Sequence, residues 1–217
     1  MRILVTAGPT REAIDPVRFI SNRSSGRMGY AIAAAAAGRG HEARLISGPV
    51  ALAAPHGVRV ARVTTAAEMF KAVKEQAAWC DALIMAAAVC DWRPATASRT
   101  KLKKAGIPRS HSLPLRRTAD ILQGVAGRKG RRIFVGFAAE TGNLLAEARR
   151  KLKLKKLDLI VANNVSLPDA GFEANTNRAL FVEGGGDHRQ LPLMTKRALA
   201  REIIRWVEDA AARPDSA

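Results

Sequence analysis

The sequence predicts an α/β protein in which a mainly parallel, doubly wound sheet lies between two layers of helices. Two observations support this prediction. Short apolar segments alternate along the chain with longer segments of helical pattern, as successive βαβ units require. The segment Asp81–Val89 is continuously apolar after its first residue, which is typical of a strand buried on both faces. With 217 residues, 47% of them hydrophobic, the chain is long enough for one large domain.

The first βαβ unit is predicted close to the N-terminus. The run Ile3–Thr6 predicts a strand, and the alanine-rich segment Tyr30–Ala37 predicts a helix that ends at Gly38. His41–Ser47 predicts the second strand, so the unit has the order strand, polar loop, helix, strand.

The remaining elements continue this alternation. Thr65 and Glu68 have the spacing of a capping box, and Thr118 is a candidate N-cap of a later helix. The other expected elements are an extended piece at Val58–Val63, helices at Ala66–Ala78, Leu144–Lys156 and Lys196–Ala211, strands at Arg132–Phe137 and Leu159–Ala162, and a small C-terminal hairpin of Ala179–Val182 with Gln190–Leu193. We expect a single domain of residues 1–212 and a frayed tail at 213–217.

Composition excludes several classes of protein. The two cysteines, Cys80 and Cys90, have no metal-like spacing to histidine, so neither a disulfide framework nor a zinc site is expected. No run of about 18 apolar residues is present, and the N-terminus lacks a signal-peptide pattern. We therefore expect a cytoplasmic protein that is neither exported nor membrane-spanning.

The chain carries a formal net charge of +17, from 36 Lys and Arg against 19 Asp and Glu. Such a charge attracts nucleic acid, and it equally concentrates a phosphorylated substrate or a nucleotide. Only 5% of the residues are aromatic, and no basic segment is interleaved with Phe or Tyr. Because single-stranded nucleic acids bind to aromatic stacking platforms, nucleic acid is the less favoured partner.

The polar loop between Thr6 and Gly29 is the strongest candidate for a binding site. Glycines, serines and arginines converge there on the start of the predicted helix, where backbone N–H groups and guanidinium groups favour an anion such as phosphate. The alternative is a polar connection capped by Ser24 or Ser25. Further polar segments follow the later strands, and ligands bind at this carboxyl edge in doubly wound folds.

The residue inventory favours chemistry at phosphorus. His41, His56, His111 and His188 are scattered, and no pattern of nucleophile and base or of paired carboxylates is recognisable. Lysine, arginine, asparagine and serine remain, and these suit the neutralisation of phosphate oxygens. A nucleotide-dependent ligation fits well, because an attacking carboxylate needs no deprotonation at neutral pH.

Several ordered motifs resemble the bacterial phosphopantothenate–cysteine ligases of coenzyme A biosynthesis. The motifs are GPTREAIDPVRFISNRSSGRMG, AAAVCDWRP, KLKK, VGFAAET and ANNVS, and the resemblance covers nearly the whole chain. It implies a Rossmann-like fold and a homodimer. It also implies that CTP and Mg²⁺ activate 4′-phosphopantothenate as an acyl-cytidylate, releasing pyrophosphate, and that L-cysteine then displaces CMP.

The resemblance also implies roles for individual residues. Asn22 would hold the acyl-cytidylate and donate to its oxyanion, Lys101 would neutralise the α-phosphate, and Arg18 would grip the phosphate of phosphopantothenate, with Asn163 at the same substrate. The expected nucleotide-binding residues are Gly8, Ser24, Ser25, Gly26, Ala87, Ala88, Asp91 at the ribose, Lys101, Thr118, Ala119, Asp120, Ile121, Phe137, and Lys151 and Lys155 at the triphosphate.

The sequence departs from the family pattern at two points. Ala119 stands where the family usually has proline, so backbone groups are expected to make that contact. In many bacteria the ligase follows a flavin-dependent decarboxylase, whereas this chain starts directly in the ligase strand. We therefore expect either a stand-alone ligase or a part cut from a longer chain, with a separate or removed decarboxylase as a possible partner and no FMN.

Two alternatives from other classes remain open. A Rossmann oxidoreductase would explain the first βαβ unit, although G-x-G-x-x-G does not follow the first strand. A basic nucleic-acid-binding module would explain the charge, although no helix-turn-helix or repeat is recognisable.

Overall fold

The structure is a computed structural model that describes residues 1–103, 112–140, 142–164 and 176–213. The helices are α1 (Arg27–Gly38), α2 (Ala66–Gln76), α3 (Ile121–Ala126), α4 (Leu144–Leu154) and α5 (Lys196–Ala212). The strands are β1 (Arg2–Ala7), β2 (Arg11–Ala13), β3 (Phe19–Ser21), β4 (Glu42–Ser47), β5 (Arg59–Arg62), β6 (Ala82–Met85), β7 (Trp92–Pro94), β8 (Leu115–Arg117), β9 (Ile133–Glu140), β10 (Leu159–Asn164), β11 (Thr176–Asn177), β12 (Ala179–Glu183), β13 (His188–Gln190) and β14 (Met194–Thr195).

The central sheet has the strand order β13-β12-β10-β9-β6-β1-β4-β5. All neighbouring pairs from β10 to β5 are parallel, whereas β12 and β13 add an antiparallel hairpin at one edge. The prediction of a mainly parallel sheet with a small C-terminal hairpin is therefore confirmed. Parallel strands place all their carboxyl ends along one edge, and this edge is where a ligand site is expected.

Helices cover both faces of the sheet because side chains alternate along each strand. In β1, Ile3 and Val5 face a core that includes α1 and α5, whereas Leu4 faces a second core that includes α2, α3 and α4. All three side chains are fully buried. The predicted strands and helices, including α5, are thus confirmed within a few residues.

Helix α1 lies unusually close to β1 at its first turn. A Cβ atom at Gly29 would stand 2.5 Å from Cβ of Ala7 and 2.6 Å from the carbonyl oxygen of Thr6, so only glycine allows this approach. Gly26 caps the helix with a left-handed φ of 76°, and no side chain caps it. The N-cap is therefore Gly26 rather than Ser24 or Ser25, because the backbone turns into the helix at a glycine.

Some local structure differs from the sequence-based expectations. The predicted polar loop after β6 contains β7, which pairs with β8, and the first polar loop contains the β2–β3 ribbon. The N-cap of α3 is Asp120 rather than Thr118, since the Asp120 carboxylate accepts from N–H of Gln123 at 3.1 Å. The hydroxyl of Thr118 instead donates to the carbonyl of Cys90. The capping box of Thr65 and Glu68 is confirmed.

Among the described helices, none combines the length and apolarity needed to cross a bilayer. Several features of the sequence-based predictions fall outside the described residues. These are the last lysine of KLKK, His111, Thr141 of VGFAAET, Val165 and Ser166 of ANNVS, and residues 214–217 of the expected tail.

Candidate functional site

A cleft of about 470 Å³ opens at the carboxyl edge of the central sheet. This volume lies within the range usual for small-molecule sites. Its walls come from the segment before α1, the segment after β6, the start of α3, the outer half of β9, the end of α4 and the start of α5. The lining comprises Asn22, Ser24–Met28, Met85–Val89, Asp91, Thr118–Leu122, Phe137–Ala139, Lys151, Lys155, Asn163, Asn177 and Lys196.

Most residues predicted from sequence for the site are therefore brought together, although they come from widely separated segments. The residues concerned are Asn22, Ser24, Ser25, Gly26, Ala87, Ala88, Asp91, Thr118, Ala119, Asp120, Ile121, Phe137, Lys151, Lys155 and Asn163. Their individual contacts with substrates stay predictions.

The start of α1 forms one wall and is built for close approach of a ligand. The hydroxyl of Ser24 accepts a hydrogen bond from N–H of Gly26 at 3.3 Å. Gly29 lets the first turn lie against β1, so the N-terminal end of α1 stays beside the strand ends. A 12-residue helix with a glycine N-cap directs the N–H groups of its first turn and a partial positive charge here. This wall suits an anion such as a phosphate group.

Asn22 connects this wall to the segment after β6. Its Nδ2 donates to the carbonyl oxygens of Ala88 and Val89, both at 3.1 Å. Both amide hydrogens are thus engaged by backbone, so donation to an oxyanion, as expected from the sequence, would require one of these bonds to break. The opposite orientation of the amide would place its oxygen against two carbonyl oxygens, which are acceptors only.

Among the described residues of the lining, cationic side chains outnumber carboxylates. The cations are Arg27, Lys151, Lys155 and Lys196, and the carboxylates are Asp91 and Asp120. Nζ of Lys155 lies 2.8 Å from Oδ2 of Asp120, so this pair is partly neutralised. The net positive charge of the cleft favours a polyanionic ligand.

Lys196 is one functional candidate that sequence reasoning missed, and Arg27 in the same lining is another. Lys196 is only 7% exposed and occupies the first position of α5, where a cation is unfavourable. Burial, followed by the charge of Arg27, lowers the pKa of Lys196 below its usual value. In the sequence, Lys196 is part of the amphipathic pattern of α5 and does not stand out as a site residue. A lysine at the first position of a helix is unfavourable, and this could have indicated a functional role.

Asn177 is a further residue that was missed. It is 5% exposed, lines the cleft, and its Oδ1 has no hydrogen-bond partner among the described residues. A buried amide oxygen without a partner is costly, so a ligand N–H or O–H group would be well placed there. The short strand β11, which carries this residue, was not predicted.

Gly8, Arg18 and Lys101 do not line the cleft. Gly8 adopts a φ of 77°, and its carbonyl accepts from N–H of Ala88 at 2.9 Å, so it shapes the turn after β1. Arg18 is paired with Asp15. Lys101 lies on a neighbouring segment that is tied to this pair through Leu102. The predicted ligand contacts of these three residues stay predictions.

The described lining contains no histidine and no cysteine. Cys90 lies close by, but burial raises the pKa of its thiol, which keeps the sulfur protonated at neutral pH. The described residues also contain no cluster of three His, Cys, Asp or Glu side chains that could hold a metal. The cleft therefore offers charge, backbone N–H groups and amides.

Comparisons with known proteins agree with this architecture. Residues 1–210 match the family model described as DNA/pantothenate metabolism flavoprotein C-terminal domain. The chain is 46% identical over 207 residues to the coenzyme A biosynthesis bifunctional protein CoaBC of Vibrio vulnificus, which covers 95% of this chain and 51% of that protein. The corresponding protein of Bacillus subtilis is 46% identical over 206 residues, covering 94% of this chain and 50% of the relative. The chain thus spans about half the length of these curated relatives.

The fold is also similar to a crystal structure of the C-terminal domain of CoaBC. The TM-score is 0.82 at 40% sequence identity, covering 97% of this chain and 95% of the other. A structure of a Cab2 mutant in complex with phosphopantothenate-cysteine has a TM-score of 0.77 at 17% identity, covering 97% of this chain and 87% of that chain, and supports the fold alone.

Proposed function

Because the chain belongs to the family of DNA/pantothenate metabolism flavoprotein C-terminal domains, we propose that it joins 4′-phosphopantothenate to L-cysteine at the expense of CTP. In the first half-reaction a carboxylate oxygen of phosphopantothenate attacks the α-phosphorus of CTP, and pyrophosphate leaves. In the second, the cysteine amine attacks the acyl carbonyl of the acyl-cytidylate, losing a proton as CMP leaves with the bonding electrons. The products are 4′-phosphopantothenoylcysteine, pyrophosphate and CMP.

One observation carries this proposal. Residues of four of the five ligase motifs line a single cleft, where the N-terminal end of α1 meets the carboxyl ends of β6, β9 and β10. The resemblance assigns residues of those stretches to the nucleotide and the substrate. Their convergence on one cavity is what a shared nucleotide and acyl site requires.

The cationic residues are assigned to the triphosphate. Arg27 and Lys196 stand at the first positions of α1 and α5, so each adds a side-chain charge to the positive end of a helix. Lys151 and Lys155 line the cleft from α4 and its C-cap. The first half-reaction expels a pyrophosphate, and cations that neutralise its developing charge stabilise the transition state.

The remaining polar residues are assigned to the acyl group and the nucleoside. Asn22 and Asn163 line the cleft and are assigned to the acyl chain, and Asp91 is assigned to the ribose. Phe137 is half-buried in the outer half of β9, where its ring can lie against the nucleotide. The preference for CTP over ATP rests on the resemblance and is part of the proposal.

Mg²⁺ is expected to accompany the triphosphate. In nucleotide sites this ion needs only one or two carboxylates in addition to phosphate oxygens and water. Asp91 and Asp120 are the carboxylates of the described lining, but Asp91 is assigned to the ribose and Asp120 is engaged by Lys155 and Gln123, so phosphate oxygens and water would be the main ligands of the ion. When bound, the ion would neutralise part of the negative charge of the phosphates.

A homodimer is also proposed. Exposed apolar side chains lie on the β2–β3 and β7–β8 ribbons and the turn before β3, namely Val17, Phe19, Trp92 and Leu115. Apolar groups gathered on two adjoining ribbons suit a protein interface. Light scattering during gel filtration tests this assignment, and a monomer at micromolar concentration would refute it. A phosphopantothenoylcysteine decarboxylase, as a separate chain or an adjoining domain, is the proposed further partner.

The decisive experiment is pyrophosphate release from CTP with Mg²⁺ and 4′-phosphopantothenate, with and without cysteine. We expect release to require phosphopantothenate, to be slower with ATP, and to fall by roughly 100-fold or more in Lys101→Ala and Asn22→Ala. Lys103→Ala, which changes an exposed lysine two positions away, should behave as the parent protein. A folded protein that cleaves no nucleotide under any of these conditions would refute the proposal.

A further inference from the structure

The carboxylate of Asp15 is an unusually well-satisfied acceptor outside the cleft. Its side chain is fully buried. Oδ1 accepts from the backbone N–H groups of Val17 and Arg18, both at 2.8 Å. Oδ2 accepts from Nε of Arg18 at 3.0 Å and also from Nη2 of the same guanidinium.

The same two side chains hold the backbone of Leu102 on both sides. N–H of Leu102 donates to Oδ2 of Asp15 at 3.2 Å. Nη2 of Arg18 donates to the carbonyl oxygen of Leu102 at 2.9 Å. Leu102 is 87 residues from Asp15 in sequence. A carboxylate and a guanidinium thus close a two-point clasp on the backbone of one residue, a geometry that charge-assisted hydrogen bonds make strong.

A second contact fixes the segment that leads into the clasp. N–H of Ser98 donates to the carbonyl of Ile14 at 2.9 Å. Lys101 therefore lies between two anchored positions, Ser98 and Leu102. Its position in space depends on the position of the loop that carries Asp15.

The clasp also links Lys101 to the cleft. Arg18 directly precedes β3, and Asn22 directly follows it. At about 3.3 Å per residue, four residue steps along this strand separate the two by roughly 13 Å. Asn22 is in turn fixed to Ala88 and Val89 at the wall of the cleft. One short strand therefore sets the distance between the clasp and the cleft.

We propose that Asp15 and Arg18 are positioning residues that hold Lys101 in place relative to the cleft by clasping the backbone of Leu102. The catalytic role of Lys101 in this proposal rests on the proposed function, whereas the clasp itself does not depend on it. Arg18 then acts through Leu102 rather than as a direct ligand of the substrate phosphate. The Arg18 guanidinium holds the pKa of the Asp15 carboxyl well below its usual range, so the clasp stays charged at neutral pH.

Limited proteolysis tests the clasp without any assay of activity. Trypsin cleaves after Lys101 and Lys103, and the rate of these two cleavages reports how firmly the segment is held. We expect Asp15→Asn to raise that rate at least fivefold in the intact chain. Asp187→Asn, which removes an exposed carboxylate from the β12–β13 turn, is the matched control and should leave the rate unchanged. Equal cleavage of Asp15→Asn and the parent protein would overturn the proposal.

A double-mutant cycle tests the positioning role. A misplacement of about 1 Å can cost roughly 100-fold in rate. We expect Asp15→Asn to lower kcat of CTP-dependent pyrophosphate release at least tenfold with little change in the KM for CTP. In a Lys101→Ala background the same change should have no further effect, because both variants lose the same interaction. Multiplicative effects of the two changes would refute a role through Lys101.

Arg18→Met supplies a second variant if Asp15→Asn unfolds. It removes the bond to the carbonyl of Leu102, whereas Asp15 keeps its backbone donors. The same increase in trypsin cleavage and the same lack of additivity with Lys101→Ala are expected, and their absence would count against the clasp. If no variant and no parent protein cleaves a nucleotide, the proposed ligase function fails, and the proteolysis result still decides whether the clasp exists.

Discussion

Nζ of Lys155 and Oδ2 of Asp120 lie 2.8 Å apart, and this ion pair joins the C-cap of α4 to the N-cap of α3 across one wall of the cleft. The other oxygen of Asp120 accepts from N–H of Gln123. Asp120 thus holds the start of α3 and the end of α4 together. A triphosphate placed beside Lys155 would compete with Asp120 for its ammonium group.

Lys155→Gln is expected to weaken CTP binding by roughly tenfold, because it removes a cation that lines the cleft. Titration calorimetry measures the dissociation constant. Lys153→Gln is the matched control, since Lys153 is an exposed lysine on the same helix and lies outside the lining. Equal losses in both variants would mean that only the overall charge matters.

Lys196→Met is expected to stabilise the protein and to weaken CTP binding. The lowered pKa of Lys196 means that folding disfavours its charged form, and replacement by an apolar side chain removes that cost. We expect a higher Tm together with at least tenfold weaker binding of CTP, whereas Arg197→Met, at the exposed neighbouring position, should change neither substantially. A lower Tm with unchanged affinity would show that this lysine serves the fold alone.

The affinity for CTP should also depend on pH through Lys196. Its charged form binds phosphate, and its pKa is lowered from 10.5, first by burial and then by Arg27. Affinity should therefore fall as the pH rises through the lowered value, which lies below the ordinary lysine range. The Lys196→Met variant should lack this decrease in CTP affinity at high pH. If the variant and the parent protein show the same dependence of affinity on pH, another group is responsible for the titration.

Gly29→Ala is expected to destabilise the fold by about 1–3 kcal/mol, because the added methyl group meets the backbone of β1. Urea denaturation measures the free energy of unfolding. Gly38→Ala is the control in the same helix: nothing lies within 4 Å of its added Cβ, and the helix propensity of alanine should stabilise the fold slightly. Similar losses for both variants would contradict the close approach of α1 to β1.

The pair of Arg39 and Glu208 should make stability depend on pH. Arg39, with a smaller contribution from His41, lowers the pKa of Glu208. A carboxyl group with a lowered pKa contributes stability above its ordinary pKa and loses that contribution as the pH falls through the lowered value. Glu208→Gln should therefore cost about 0.2–1 kcal/mol at pH 7 and progressively less in acid. Thermal unfolding against pH, with Glu75→Gln as a control, checks this, and a cost that does not change with pH would argue against it.

The fold was predictable wherever a local pattern was long enough. The apolar run of β6, the capping box of α2 and the 17-residue amphipathic helix α5 each determine their structure within one segment. The β2–β3 and β7–β8 ribbons were not predictable, since strands of three residues depend on hydrogen bonds to a partner elsewhere in the chain.

Site residues that belong to a sequence motif were predictable. Site residues whose role depends on burial in the folded protein were not. Lys155 and Asp91 were found by their place in the motif order and do line the cleft. Lys196 was missed, because its burial arises only when α5 packs against the sheet. The partners of Arg18 were missed for a similar reason, since Leu102 reaches it only through the fold.

The packing of α5 against α1 also bears on how the chain is synthesised. Arg39 at the end of α1 meets Glu208 of α5 across 169 residues of sequence. At about 5–20 residues per second, a ribosome needs roughly ten to thirty seconds to make the intervening polypeptide. Throughout that interval the apolar face of α1 lacks the helix that will cover it. The nascent chain must therefore keep this face from aggregating until α5 emerges.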